Sequence, residues 1–200
     1  METMPQPTAL PLILASTSPY RKSLLAKLGL AFEVVAPHVD ETAQDRESPE
    51  QLVARLAEAK AKAVARNFPA ALIIGSDQVA VVDGQIVGKP HTHEKAVMQL
   101  KRAAGKRIAF LTGVCLYNSK SGRSQTDVVP FYVVLRPLTD LQIQHYLQQE
   151  QPYDCAGGFK AEGLGIALFE RLEGTDPNTL IGLPLIRLIQ MLENEGVCVI

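Results

Sequence analysis

Residues 11–29, PLILASTSPYRKSLLAKLG, indicate how the fold begins. The apolar run from Pro11 to Ala15 is typical of a short buried strand. Three small hydroxyl residues then predict a tight loop, and the pattern that follows them predicts a helix. Ser18 suits the N-cap of this helix, Pro19 its first position and Gly29 the position beyond its C-terminus. The chain therefore opens with a strand, a short loop and a helix.

The loop between this strand and this helix is a candidate site for phosphate binding. Free backbone N–H groups and the positive end of the helix dipole both face such a loop. Arg21 and Lys22 add positive charge there, although basic side chains in the first turn oppose the helix dipole. On these residues alone, phosphate binding and a plain helix cap with solvated basic side chains are equally good interpretations.

Strand and helix patterns alternate along the rest of the 200 residues. The predicted strands cover Phe32 to Ala36, Ala71 to Ile74, Val79 to Val82, Gln85 to Val87, about Arg107 to Tyr117 and Thr126 to Leu135. The predicted helices run from Ser48 to about Arg66, from Thr92 to near Gly105, from Thr139 to near Gln149 and from Pro184 to about Asn194. Because a set of hairpins interrupts the alternation, we expect an α/β fold. A mixed central sheet would be flanked by helices in two lobes with a cleft between them, all within one domain, 1–200.

Composition narrows the classes of function. Apolar residues make up 46 % of the chain and the formal net charge is -1, so no global field would attract nucleic acid, and we expect no stable nucleic-acid binding. The first ten residues contain an acid and no base, which is not typical of a signal peptide. No apolar run approaches the length of a membrane span. Three widely spaced cysteines without a CxxC pattern favour reduced thiols, and we expect a cytoplasmic protein.

Lys60 stands out on the helix that begins at Ser48. At about 100° per residue, Lys60 falls in the middle of the apolar stripe that includes Leu56 and Val64. A lysine that faces inward is costly unless it is paired or faces a polar cleft. The alternative is a lysine whose stem is buried and whose ammonium reaches water. We favour a lysine that faces a cleft.

Asp77 is the second unusual residue, because it lies between two apolar strand halves. Aspartate is disfavoured in strands, and the preceding Gly75 predicts a bend or a bulge. A carboxylate in this place needs a metal, a cation or a reacting water. The alternative is a structural aspartate that accepts hydrogen bonds from the backbone of a turn, and we favour the catalytic interpretation.

Two further positions are less informative by themselves. Asp40 and Glu41 follow the second predicted strand as paired carboxylates, the oxygen ligands that Mg²⁺ prefers. Lys89 ends the hairpin that follows Asp77. In isolation, a solvated loop is the better interpretation of all three residues.

Six segments together resemble the Maf family of nucleoside triphosphate pyrophosphatases, and they occur in order over nearly the whole chain. They are LILASTSPYRKSLL (12–25), VDET (39–42), RLAEAKA (55–61), IIGSDQVAVVDGQIVGKP (73–90), CAGGFKAEGLG (155–165) and LIGLPL (180–185). The resemblance implies a Maf/ITPase-like fold, hydrolysis of a nucleoside triphosphate to the monophosphate and diphosphate, and dependence on a divalent cation, Mg²⁺ or Mn²⁺. A homodimer is a further expectation from the family.

The resemblance also implies roles for particular residues of this chain. Asp77 matches the catalytic aspartate, which would either orient and deprotonate the attacking water or, together with Glu41, hold the metal. The residues that would bind the triphosphate are Ser16, Arg21, Lys60 and Lys89. Lys60 and Asp77 were singled out from their patterns alone, whereas Glu41 and Lys89 gain their weight from the resemblance.

Three departures from the majority pattern of the family bear on substrate choice. Tyr20, Gln78 and Glu162 occupy places where most members have arginine, threonine and glutamine. This combination resembles the branch that hydrolyses 7-methyl-GTP, which implies a role in keeping modified nucleotides out of nucleic acids. The alternatives are a dTTP or UTP pyrophosphatase of the majority type and a nucleotide-binding regulator of cell division. A regulator would have no need of a carboxylate beside the triphosphate.

Overall fold

The computed structural model describes residues 10–200, so the segment 1–9, which carries most of the argument against a signal peptide, lies outside the described residues. The strands are β1 (Leu12–Ala15), β2 (Glu33–Val35), β3 (Leu72–Val82), β4 (Gln85–Val87), β5 (Arg107–Asn118), β6 (Arg123–Leu135) and β7 (Phe169–Glu173). The helices are α1 (Pro19–Ala26), α2 (Pro49–Ala65), α3 (His93–Ala103), α4 (Asp140–Glu150), α5 (Asn178–Ile181) and α6 (Leu185–Glu193). Two short 3₁₀ turns, Ala156–Gly158 and Leu164–Leu168, precede β7.

The strands form one mixed sheet in the order β2-β1-β3-β5-β6-β7. β4 pairs with the C-terminal end of β3, at residues 80–82. β1 is parallel to both β2 and β3, while the pairs β3–β5, β5–β6 and β6–β7 are antiparallel. The expectation of a mixed sheet flanked by helices is therefore confirmed.

The interruption expected at residues 75–78 is wrong. β3 is one continuous strand of 11 residues, and its pairing with β5 runs in unbroken register from Leu72, opposite Asn118, to Val81, opposite Ala109. Gly75 marks a close helix contact instead of a bend. A Cβ at this position would lie 2.0 Å from the backbone oxygen of Ala57, so glycine is what allows α2 to rest directly on the strand.

Both faces of the inner sheet are covered, and β1 shows how its sequence divides between them. Successive strand residues point to opposite faces. Ile13 and Ala15 contribute to the core beneath α2, whereas Leu12 and Leu14 pack into the core that contains residues of α1 and α6. Such two-sided burial explains why the strand is apolar at every position.

A separate core forms the second lobe, around the C-terminal end of β3 and the parts of β5 and β6 beside it. α3 and α4 contribute Leu100, Ile143 and Leu147, which pack with Phe110 of β5 and Phe131 of β6. The candidate site lies between this lobe and the one formed around α1, α2 and β1. Among residues 10–200, no helix combines the length and hydropathy that crossing a membrane would need.

Local signals account for the starts of several helices. Ser48 and Thr139 both form capping boxes with the residues three positions on, Gln51 and Gln142. Thr92 caps α3, as its sequence position predicts. β7 and α5 were not predicted from the sequence. Both are too short to show a periodic pattern, and their structure depends on contacts with distant residues.

Candidate active site

The cleft between the lobes encloses about 700 Å³ and brings together every residue that the sequence analysis assigned to the site. These residues are Ser16, Tyr20, Arg21, Glu41, Lys60, Asp77, Gln78, Lys89 and Glu162. A volume of this size is in the usual range for a site that binds a small molecule. The elements that supply the residues are the β1–α1 loop with α1, the helix α2, the strand β3 and the loops at 41, 89 and 154–162.

Lys60 is the centre of the charged end of this cleft. Its Nζ lies 2.7 Å from Asp77 Oδ1 and 2.7 Å from Glu41 Oε1. Only 7 % of the Lys60 side chain and 11 % of the Asp77 side chain are exposed, whereas 61 % of Glu41 is exposed. The lysine thus lies on the buried face of α2, as its position in the apolar stripe predicts, and it is both paired and on the cleft wall.

Strand and helix geometry place these two side chains together. Asp77 lies opposite Gly113 in the β3–β5 ladder. A Cβ on Gly113 would lie 2.1 Å from the backbone oxygen of Val53, so the first turns of α2 lie directly on β5. With α2 also resting on Gly75, Lys60 is held over the middle of β3, within reach of the aspartate.

Arg21 is oriented by a backbone carbonyl from a distant part of the chain. Its Nε donates to Gly182 O at 2.9 Å, and Ser76 Oγ donates to the same oxygen at 3.0 Å. Burial lowers the pKa of Arg21, while nearby Asp77 and Glu41 act in the opposite direction. Because Nε is engaged, the two terminal amino groups are left for an anion, which a guanidinium binds as a fork.

The loop after β1 caps α1 and still has a hydroxyl group that can donate a hydrogen bond to a ligand. Ser18 Oγ accepts a hydrogen bond from Arg21 N at 3.4 Å, and Ser16 Oγ accepts one from Ser18 N at 3.1 Å. Ser16 is almost fully buried. Since its oxygen serves as an acceptor here, its hydroxyl proton can still be donated to a ligand.

The opposite end of the cleft is aromatic and carries several titratable groups. Tyr20 is 37 % exposed and lies close enough to the thiol of Cys155 for that thiol to affect its pKa. Burial raises the pKa of Tyr20; Cys155 and Glu162 raise it further, and Lys160 opposes them. Burial also raises the pKa of the Cys155 thiol, which favours the neutral form of that group.

Gln78 lines the cleft, and its side-chain amide also joins three segments of the chain. Nε2 donates to Thr112 Oγ1 at 2.8 Å and to Thr179 O at 2.7 Å. These bonds hold the start of α5 against β3 and β5. The resemblance to the family predicts that Gln78 bears on substrate choice, but its partners could not be predicted because they lie far from it in sequence.

Several cleft residues were missed. Asp154, Cys155 and Phe159 line the cleft, and Gly182 orients Arg21. The only sequence signals for them were their positions within or beside the glycine-rich segment 155–165 and the LIGLPL segment 180–185.

Glu41 and Asp77 could take part in holding a divalent cation. Lys60 contacts one oxygen of each carboxylate, which leaves the other oxygen of each available. Mg²⁺ is usually bound by one or two carboxylates together with substrate phosphates, so this donor set fits such a cation. Among residues 10–200, no group of three or more histidine, cysteine, aspartate or glutamate side chains is arranged to hold a metal.

The chain is similar to known proteins over most of its length. The family model described as Maf-like protein matches residues 11–195, and the chain belongs to the Maf family. The chain is 58 % identical over 193 residues to the 7-methyl-GTP pyrophosphatase of Nitrosococcus oceani, a match that covers 96 % of this chain and 97 % of that protein.

A solved structure shares the fold at much lower sequence identity. The Staphylococcus aureus Ham1 protein aligns with a TM-score of 0.54 and 14 % identity, covering 92 % of this chain and 98 % of that chain. At this identity the likeness concerns the fold alone. It supports the α/β architecture that the alternating strand and helix patterns predict.

Proposed function

We propose that this chain is a nucleoside triphosphate pyrophosphatase that hydrolyses 7-methyl-GTP to 7-methyl-GMP and diphosphate, and so helps to keep modified nucleotides out of nucleic acids. The observation that carries the proposal is the pair of carboxylates, Asp77 and Glu41, joined by Lys60 at one end of a cleft. A tyrosine and a glutamate line the same cleft. The name of the 58 % identical relative from Nitrosococcus oceani agrees with this reading.

The triphosphate would lie at the charged end of the cleft. The side chains available to bind it there are Ser16, Arg21, Lys60 and Lys89. A forked guanidinium and two ammonium groups are suited to neutralise the charge that develops on phosphate oxygens during hydrolysis. Catalysis would then come mainly from positioning and electrostatic stabilisation, without a covalent intermediate.

Asp77 would act on the attacking water. Its Oδ1 is bound to Lys60, and its other oxygen could orient a water molecule for attack on the α-phosphorus and accept its proton. A divalent cation, Mg²⁺ or Mn²⁺, would neutralise phosphate charge when bound. Glu41 would help to hold it, and Asp77 would hold it in the alternative in which the metal, and not the carboxylate, activates the water.

The base would be recognised by Tyr20 and Glu162. 7-Methylguanine carries a positive charge on the ring, and a cationic ring stacks well on an aromatic face. Its Watson–Crick edge presents two N–H donors side by side, which one carboxylate can accept together. Thymine and uracil offer one N–H between two carbonyl oxygens, and those oxygens would face Glu162 unfavourably.

Diphosphate release from a panel of nucleotides with Mg²⁺ or Mn²⁺ tests the proposal. We expect the highest kcat/KM for 7-methyl-GTP, and we expect Glu162→Gln to reduce this value more than the values for UTP and dTTP. The contrary result would be equal rates on 7-methyl-GTP and dTTP, both unchanged by Glu162→Gln. It would contradict recognition of the nucleobase by Glu162 and would mean that this side chain lies in solvent.

A further inference from the structure

A lysine side chain lies beside the end of the cleft where the nucleobase would bind, but its ammonium group points away from the cleft. Lys160 is two residues before Glu162 and close enough to Tyr20 and Cys155 to affect their pKa values. Its Nζ is nevertheless 3.3 Å from Glu150 Oε1, with 28 % of the lysine side chain and 17 % of the glutamate side chain exposed. Glu162 lines the cleft, whereas Lys160 points toward α4.

Side chains of α4 fix this arrangement. Glu150 Oε2 accepts a hydrogen bond from Leu164 N at 2.8 Å, and the hydroxyl of Tyr146 accepts one from Lys160 N at 3.1 Å. A Cβ on Gly163 would lie 2.8 Å from Glu150 Oε2. The loop therefore lies tightly against α4 on both sides of Glu162. As a result, Glu162 faces the cleft while Lys160 faces Glu150 of α4.

The charges at this end of the cleft follow from the pairing. Lys160 and Glu150 cancel each other, which leaves the carboxylate of Glu162 to face the cleft. Asp154 adds negative charge at the rim, where 92 % of its side chain is exposed and His91 Nδ1 is 3.8 Å away. The end of the cleft where the nucleobase would bind is thus negatively charged, although Lys160 is only two residues from Glu162 in the sequence.

We propose that Glu150 is a positioning residue for substrate selectivity. By holding Lys160, it prevents this lysine from pairing with Glu162, and the free carboxylate then selects a cationic 7-methylguanine ring over neutral guanine. This inference rests on the proposed function, since it concerns how the same cleft distinguishes two purine nucleotides that differ by one methyl group and one charge.

The test is the ratio of kcat/KM for 7-methyl-GTP to that for GTP, measured at mildly acidic pH so that the methylated ring stays cationic. In Glu150→Gln the amide oxygen can still accept from Leu164 N, but the charge that holds Lys160 is lost. We expect the ratio to fall by about fivefold, the scale of one partly exposed charge pair. Adding Lys160→Met should restore the ratio, and Lys160→Met alone should not lower it.

The matched control is Glu170→Gln, which removes a glutamate paired with Arg171 on β7, outside the residues that line the cleft; it should leave the ratio unchanged. A ratio that Glu150→Gln does not alter would overturn the inference while leaving the proposed function intact. Equal losses on both nucleotides without rescue by Lys160→Met would show that Glu150 only tethers the loop. Absence of hydrolysis of 7-methyl-GTP by the unaltered protein would overturn both proposals.

Discussion

The ammonium of Lys60 and the carboxylate of Asp77 compensate each other for the loss of water. Each side chain is about nine-tenths buried, and their charged atoms are 2.7 Å apart. Removal of one partner from such a pair leaves an uncompensated buried charge, which is more damaging than the pair itself is stabilising. Glu41 is largely exposed, so its contact with Lys60 contributes less to stability.

Asp77→Asn is expected to lower kcat by at least about 100-fold, the usual scale for one general base. Asparagine keeps an oxygen that can accept from Lys60, so the fold and nucleotide binding should persist. Diphosphate release under saturating substrate, together with calorimetric titration of a non-hydrolysable nucleotide, measures the two effects separately. Near-normal turnover would exclude Asp77 both as the base and as a required metal ligand.

Lys60→Met is expected to lower both nucleotide affinity and stability, because it leaves the Asp77 carboxylate buried without its cation. The free energy of unfolding, measured with urea at neutral pH, should be restored in part when Asp77→Asn is added. A double-mutant cycle should give a coupling of about 1–3 kcal/mol, the range for residues in direct contact. Additive losses would mean that the pair contributes nothing beyond its separate side chains.

The residues of the site were predictable to different degrees, and the differences have physical causes. Helical periodicity was enough to place Lys60 on the inner face, and an acid inside an apolar strand was enough to single out Asp77. Their contact could not be predicted, because it depends on how α2 sits on β3. The tie between Arg21 and the carbonyl of Gly182 joins residues 161 positions apart, and no local pattern encodes it.

At the scale of elements, two glycines determine how closely α2 lies on the sheet. The backbone of α2 contacts β3 at Gly75 and β5 at Gly113. At each place an added Cβ would overlap with a carbonyl oxygen of the helix. This packing sets the height of Lys60 above the sheet. Stability and catalytic geometry therefore depend on the same two contacts.

Gly113→Ala is expected to destabilise the protein by at least about 2 kcal/mol, because the added Cβ would lie 2.1 Å from Val53 O and backbone cannot move aside cheaply. Thermal and urea unfolding measure the loss. Gly88→Ala is the matched control, since a Cβ there meets nothing within 4 Å, and it should change stability little. Equal stabilities of the two variants would show that α2 can shift without cost.

Element boundaries were predictable wherever capping residues mark them, as at Ser48, Thr92 and Thr139. The glycine before Asp77 misled the sequence analysis, because a glycine required by an approaching helix has the same sequence signature as one required by a bulge. The distinction lies in tertiary contacts. The four-residue helix α5 was missed for a related reason, since the carboxylate of Asp176 accepts hydrogen bonds from Asn178 N and Ile186 N to organise it.

For the molecule as a whole, the cleft depends on a loop that is anchored outside it. Glu41 follows β2 on a segment whose later residues are tied to α2. Arg55 donates to both oxygens of Glu47, at 2.6 and 2.9 Å, and to Thr42 O at 3.0 Å. Hydrogen bonds from Arg55, and to a smaller extent from the backbone N–H of Gln44, lower the pKa of Glu47 to about 2, so this anchor stays charged throughout the physiological range. The loop is thereby held where Glu41 reaches Lys60.

Metal dependence tests whether this whole arrangement acts as a unit. A triphosphate beside Asp77 and Glu41 places like charges together, and oxygen ligands favour Mg²⁺ or Mn²⁺ over softer metals. Excess chelator should abolish diphosphate release, and added Mg²⁺ or Mn²⁺ should restore it. Glu41→Gln should raise the metal concentration needed for half-maximal rate by about tenfold, the lower end of the effect of weakening a metal site.

The neighbouring carboxylate supplies the control for this experiment. Asp40 does not line the cleft, and its Oδ1 accepts from Thr42 N at 2.9 Å. Asp40→Asn keeps that acceptor and removes one negative charge at almost the same place as Glu41→Gln, so it should leave the metal requirement unchanged. A similar shift in both variants would mean that general charge attracts the cation and that Glu41 does not ligate it. Full activity in excess chelator would mean that Lys60, Arg21 and Lys89 neutralise the triphosphate without a metal.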